Sequence, residues 1–215
     1  MSSPSVKPST PPRAVIFDLD GVVFDSAESN IAFYDHILTA LGRPAVARQA
    51  LAVIHSEPLD RSLRHLLDHD EGEYQRAMAY CRSLDPSLFV STLTLYEGVV
   101  ETLRGLAGRA RLAVATNRTV TCRLALAHFG LLELFEEVIT PMEAGRPKPD
   151  PTMMHMTLSR LGLERGEVVY VGDTGVDEGM CLAARVRLLA FRNPGLKAWA
   201  HTSRFAEIPG LLGLG

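Results

Sequence analysis

The chain has 215 residues, 47% hydrophobic and 22% charged, enough for one sizeable core and a small satellite lobe of an ordinary soluble globular protein. A formal net charge of -3 and a pI near 6.2 exclude the broad basic field that holds nucleic acid by its phosphates, so any bound anion must be met locally. Cys81, Cys122 and Cys181 form no C-x-x-C pair and read as reduced thiols of a cytoplasmic protein, and no apolar run approaches the ~20 residues that a membrane span requires.

Residues 1–12 are rich in Ser, Thr and Pro without an apolar stretch, which predicts a flexible tail and no secretory signal. Arg13 to Phe17 is then a short, β-branched apolar run that stops at Asp18-Leu19-Asp20-Gly21, a buried strand followed by a polar turn. From 28 to 95 the pattern is helical: Ile31, Tyr34, Leu38 and Leu41 share one face, Leu59, Leu63, Leu66 and Leu67 another, and no strand is evident. Past Tyr96-Glu97-Gly98 the strand pattern resumes at Leu112–Ala115, Glu137–Ile139, Val168–Val171 and Leu188–Phe191. Helical stretches intervene, one with Val120, Leu124, Ala127 and Leu131 in register, another opened by Asp150-Pro151 and running to Leu161. The expected fold is α/β: a three-layer parallel-sheet core from 13–27 and 96–215, with an all-helical cap, 28–95, inserted over the strand ends. Chemistry in such sheets gathers at the carboxyl ends of the strands, where Asp18, Thr116 and Asp173 fall.

Two carboxylates one residue apart, Asp18 and Asp20, repel unless a cation or proton intervenes, and Mg²⁺ is the hard, oxygen-seeking cation that suits them. With phosphate charge screened, one carboxylate can attack phosphorus and the other can move the proton. Thr116-Asn117 offers a hydroxyl, an amide and backbone N–H groups for phosphate oxygens. Lys148, between Pro147 and Pro149, is a charge with a fixed backbone, suited to neutralising a transferring phosphoryl group. Gly172 to Asp177 brings a second acid pair, Asp173 for the metal and Asp177 to bind through water or orient Lys148. Each piece alone has a plain reading as a turn, a helix cap or a solvated loop. Four strand ends carrying an acid pair, a hydroxyl, a lysine and a second acid pair in order point to phosphate-ester chemistry.

Phe17 to Ser26, Thr116-Asn117, Lys148 and Gly172 to Asp177 together resemble the four motifs of the haloacid dehalogenase-like hydrolase superfamily, over Arg13 to about Gly210. The resemblance implies a Rossmann-like core and Asp18 as nucleophile, Asp20 as acid/base, with Thr116, Asn117 and Lys148 binding substrate. It implies Mg²⁺ held by the Asp18 carboxylate, the Asp20 backbone carbonyl and Asp173, with Asp177 behind them. Dehalogenases lack the second aspartate, which Asp20 supplies here. Phosphonate-cleaving members use a cap lysine, yet the only lysines are Lys7, Lys148 and Lys197. β-Phosphoglucomutase-like members carry a cap-hinge histidine where this chain has Asn30, although His36 lies nearby. The expected function is a Mg²⁺-dependent, phosphoglycolate phosphatase-like enzyme acting on a small phosphorylated metabolite, with no nucleic-acid or membrane partner and monomeric by default. A phosphomutase and a non-enzymatic phospholigand-binding module are the alternatives.

Other features have simpler explanations. His65 and His69 stand at metal-ligand spacing without a third ligand. Arg61 and Arg64 could reach a second anionic group from the cap, or lie on a solvated helix face. Met153, Met154, Met156 and Trp199 read as packing residues.

Overall fold

A computed structural model describes residues 10–85 and 87–215. Most of the predicted tail therefore lies outside the described residues, and Pro12 at its end is buried. In chain order the elements are β1 (Ala14–Phe17), β2 (Phe24–Asp25), α1 (Ala27–Ala40), α2 (Leu51–Ser56), α3 (Leu59–Leu66), α4 (Glu71–Ser83), α5 (Ser87–Val90) and β3 (Thr94–Leu95). There follow α6 (Val99–Ala107), β4 (Arg111–Ala115), α7 (Cys122–His128), β5 (Glu137–Ile139), α8 (Pro141–Ala144), α9 (Thr152–Leu161) and β6 (Val168–Gly172). The chain closes with α10 (Gly175–Ala184), β7 (Arg187–Phe191), β8 (Ala200–Thr202) and α11 (Ile208–Leu212).

Six strands form one parallel sheet in the order β5-β4-β1-β6-β7-β8. Its β1, β4 and β6 are apolar at nearly every position because both faces are covered. Alternate residues of β1 go to opposite layers. Val15 and Phe17 pack with Leu103, Leu126 and Phe205, while Ala14 and Ile16 pack with Met153, Met154 and Met180. From β1 the chain builds outward to β4 and β5, then crosses back to β6, so the crevice where strand order reverses lies at the carboxyl end of β1.

The segment predicted as a cap is helical from Ala27 to Val90 and has its own apolar cluster, including Tyr34, Ile37, Leu63, Leu67 and Ala77. The expectation that it holds no strand was incomplete. Thr94 and Leu95 pair antiparallel with Asp25 and Phe24, making a two-stranded ribbon through which the chain leaves and re-enters the core. Two residues are too few for periodicity to register. β8 was missed because its three residues, Ala200-His201-Thr202, form no apolar run.

The helix after β4 also turns differently from the predicted face. Val120 precedes it and is exposed, Leu124 points outward, and Cys122, Ala125 and Leu126 meet the sheet. Met153 and Met154 are fully buried, and Trp199 packs against the core, as expected. α9 begins at Thr152, one residue later than predicted, with Pro151 rather than Asp150 at the cap position, although Asp150 Oδ1 accepts the Thr152 N–H at 2.9 Å. No helix among the described residues is long and apolar enough to cross a membrane.

Candidate active site

Asp18 directly follows β1, and its N–H donates to the Val171 carbonyl at 2.9 Å, fastening the turn to β6. Asp18 is buried, yet its Oδ2 lies 2.8 Å from Lys148 Nζ. Lys148 is only 1% exposed, and its three ammonium protons have three acceptors: Asp18, Asp177 Oδ1 at 2.7 Å and the Tyr170 hydroxyl at 3.0 Å. Burial opposes the ammonium charge, but Asp177 and Asp18 outweigh it and raise the lysine pKa.

The sequence placed Lys148 at a strand end; it instead arrives from the loop between α8 and α9. That loop is fixed by Asn117, whose Oδ1 accepts the Lys148 N–H at 2.8 Å and whose Nδ2 donates to the Lys148 carbonyl at 3.3 Å. Nδ2 also donates to the Ser56 carbonyl of α2 at 3.1 Å. The Asn117 side chain, expected to bind substrate, is thus committed to backbone groups and braces loop and cap. Beside it, Thr116 is buried at the end of β4, and its hydroxyl helps hold down the Asp18 pKa.

Asp177 is fully buried at the start of α10. Its Oδ1 takes Lys148 and the Tyr170 hydroxyl, and its Oδ2 accepts the Asp173 N–H at 3.1 Å, the Thr174 N–H at 3.0 Å and the Thr174 hydroxyl at 2.7 Å. With its lone pairs so occupied, it suits orienting Lys148 better than direct ligation. Asp173 follows β6 with its carbonyl accepting from Asn193 Nδ2 at 2.8 Å.

Asp20 has its carboxylate turned to Arg118, which grips it with Nε at 2.9 Å from Oδ2 and Nη2 at 2.7 Å from Oδ1. Burial would raise the Asp20 pKa; Arg118 overrides it and holds the carboxyl below its usual value. Arg118 also donates to Thr121 Oγ1 at 2.7 Å and, more weakly, to Asn30 Oδ1 at 3.4 Å on α1. Arg118 and Tyr170 were missed from sequence. The signal for each was present: a cation directly after Thr116-Asn117, and a hydroxyl in a wholly apolar strand that must find a partner when buried.

Oxygens of Asp18, Asp173 and Asp177 lie within 4.8 Å of one another, and Asp18 Oδ1 and Asp173 Oδ1 are buried without a hydrogen-bond partner. Burial, then Asp177 and Asp18, push Asp173 up to about 9; burial, opposed by Lys148 and aided by Asp177, pushes Asp18 up to about 6. With all four carboxylates ionised against the two cations Lys148 and Arg118, the deficit would equal the charge of one divalent ion; without such an ion Asp173 keeps its proton. Orphaned oxygens, hard donors and the charge deficit all fit such an ion.

A cavity of about 450 Å³ opens between this cluster and the helical segment, bounded by Asp18, Asp20, Thr116 and Lys148 below and by Phe33, Ile54, Met78 and Phe89 above. Asn30 borders it, whereas His36 is exposed and stacked on Tyr80. Arg61 pairs with Glu57, and Arg64 pairs with Asp60 and Glu71 and lies over the Tyr74 ring. Neither arginine reaches the cavity wall. His65 closes α3 and His69 lies beyond its end with left-handed backbone, so the two do not share a helix face.

The sequence profile of haloacid dehalogenase-like hydrolases matches residues 15–191. A phosphoglycolate phosphatase of Nitrosospira multiformis is 30% identical over 183 residues, 81% of this chain and 80% of its own length. The pyrophosphatase PpaX of Bacillus velezensis is 30% identical over 162 residues, 74% of each chain. In three dimensions a HAD-superfamily hydrolase from Geobacter sulfurreducens superposes with a TM-score of 0.82 at 32% identity, over 93% of this chain and 99% of that one.

Proposed function

The chain belongs to the haloacid dehalogenase-like hydrolases, and on that basis we propose that it is a Mg²⁺-dependent phosphatase that hydrolyses a small phosphate monoester through an aspartyl-phosphate on Asp18. The observation that carries this reading is the Asp18 carboxylate: one oxygen is held 2.8 Å from Lys148 Nζ, and the other is buried and unpartnered beside the orphaned oxygen of Asp173. Such a carboxylate is oriented, screened on one side and open to an electrophile on the other.

In the proposed reaction Asp18 attacks phosphorus while Asp20, having left Arg118 and taken a proton from solvent, gives that proton to the leaving alkoxide; the resulting Asp20 carboxylate then takes a proton from the water that cleaves the aspartyl-phosphate. Lys148 and Thr116 bind phosphoryl oxygens where negative charge accumulates. Asn117 and Asp177 keep Lys148 in place. Mg²⁺, held by the carboxylates of Asp18 and Asp173 and the Asp20 carbonyl, would neutralise the acid cluster against the incoming phosphate. Residues 28–95 act as a cap over the core of 13–27 and 96–215 and exclude water when closed.

A phosphomutase is disfavoured because Asn30 stands at the hinge position and His36 is turned to Tyr80. Three free cysteines, two of them buried, support a cytoplasmic setting. The test is phosphate release from a panel of monoesters with Mg²⁺ and with EDTA, using Asp18→Asn as control. Release that needs both metal and Asp18 supports the reading; release unaffected by either overturns it.

A further inference from the structure

The substrate's leaving group must lie on the cap side of Asp18 and Asp20, and the wall it meets there is apolar. Phe33 and Tyr34 of α1, Ile54 of α2, Leu59 of α3, Met78 of α4 and Phe89 of α5 all border the cavity. Polar groups on that side are the uncharged Ser29, Asn30 and Ser56, His55, whose pKa burial lowers, and the charged Glu57 and Arg82.

A second anion on the substrate would need a free cation, and among the described residues none lies in the cavity's interior. Lys148 is engaged by Asp18, Asp177 and Tyr170 and faces the phosphoryl group in the proposed reaction, so it does not serve a second anion, and Arg118 is committed to Asp20, Thr121 and Asn30. Arg82, the remaining basic residue on the wall, is exposed to solvent. Glu57 on the same wall is paired with Arg61 and supplies no cation. A carboxylate such as that of phosphoglycolate would meet an apolar wall and cations already engaged by Asp18, Asp20 and Glu57, and would be buried without a partner. A two-carbon body would also leave most of the roughly 450 Å³ unfilled.

Resting on the phosphatase reading above, we propose that the enzyme's substrate class is phosphate monoesters of uncharged alcohols with an aromatic or branched aliphatic body, and that the α1, α2 and α4 side chains select it. Apolar complementarity supplies binding, and the absence of a free interior cation rejects substrates carrying a second acid.

The experiment compares kcat/KM for benzyl phosphate and phosphoglycolate with Mg²⁺, both of which leave as ordinary alkoxides. Benzyl phosphate is expected to be favoured by about tenfold or more. Met78→Arg, which brings a cation to the wall, should shift the ratio of the two values toward phosphoglycolate; a ratio is insensitive to the fraction of folded enzyme. Phosphoglycolate equalling or exceeding benzyl phosphate in the unmodified enzyme overturns the assignment and leaves the phosphatase reading intact. So does turnover of p-nitrophenyl phosphate with benzyl phosphate inert. No phosphate from any of the three overturns both.

Discussion

Arg118 clamps Asp20 through two nitrogens, Nε 2.9 Å from Oδ2 and Nη2 2.7 Å from Oδ1, with both side chains largely withdrawn from solvent. The clamp fixes the rotamer of Asp20 and keeps it ionised, the state a base needs. To donate a proton Asp20 must part from Arg118, whose contact with Asn30 links the pair to α1.

Arg118→Ala should therefore cost about 3 kcal/mol of stability at pH 7, because Asp20 is left partly buried and unpaired. The Asp20 pKa is depressed in the folded protein. Its stabilising contribution is thus complete above the ordinary carboxylate range and is lost as pH falls through the depressed folded value. The stability gap between the two proteins should shrink below about pH 4. Urea denaturation across pH 3 to 7 measures it, and a gap that stays constant would contradict the clamp.

Metal binding should release protons. With its pKa near 9, Asp173 is protonated at pH 7 in the metal-free protein and must ionise to ligate a cation. Because the folded state holds a proton that the unfolded state gives up near pH 4, metal-free stability should decline as pH rises from about 4 to 9. Mg²⁺ should restore more stability at pH 8.5 than at pH 6. Calorimetry in buffers of different ionisation heat gives the proton count at pH 7, and a count of zero would refute it.

Gly172→Ala should disable the site from behind. A methyl there would lie 2.7 Å from Asp177 Cβ and Cγ and 2.8 Å from Tyr170 Cε1, displacing two of the three partners of Lys148. A loss of about 1–3 kcal/mol in stability is expected, with a disproportionate fall in kcat. Gly175→Ala, with nothing within 4 Å, is the control and should leave both unchanged. Equal behaviour of the two variants would contradict the argument.

The three thiols should be inert in the native protein. Burial pushes Cys81 up to about 11 and Cys122 up to about 12, and raises Cys181 as well. Reaction with a disulfide reagent at pH 8 should be slow in buffer and complete in denaturant; rapid native labelling would count against this packing.

Strands β1, β4, β5, β6 and β7 were legible because a strand covered on both faces is a continuous apolar run that stops at polar residues. β2 and β3 were not, since two residues carry no period, and β8 was not because Ala200-His201-Thr202 is no apolar run. The acid positions, Thr116 and Lys148 could be read as chemistry-bearing residues from their places along the chain. What their side chains touch could not: Asn117 looked like a phosphate ligand until its amide was found on the backbone of Lys148 and Ser56. Arg118 was overlooked because the repulsion between Asp18 and Asp20 was assigned wholly to a metal, although an arginine in the loop after β4 compensates Asp20. The apolar cavity wall depends on how five cap helices pack, which spacing within each helix does not determine.

The central claim is the covalent intermediate on Asp18. Enzyme mixed with substrate and Mg²⁺, quenched in acid and reduced with borohydride, should have the Asp18 side chain converted to that of homoserine, seen by mass spectrometry of the peptide spanning β1. Unreduced Asp18 in samples that had been releasing phosphate at the quench would contradict the account.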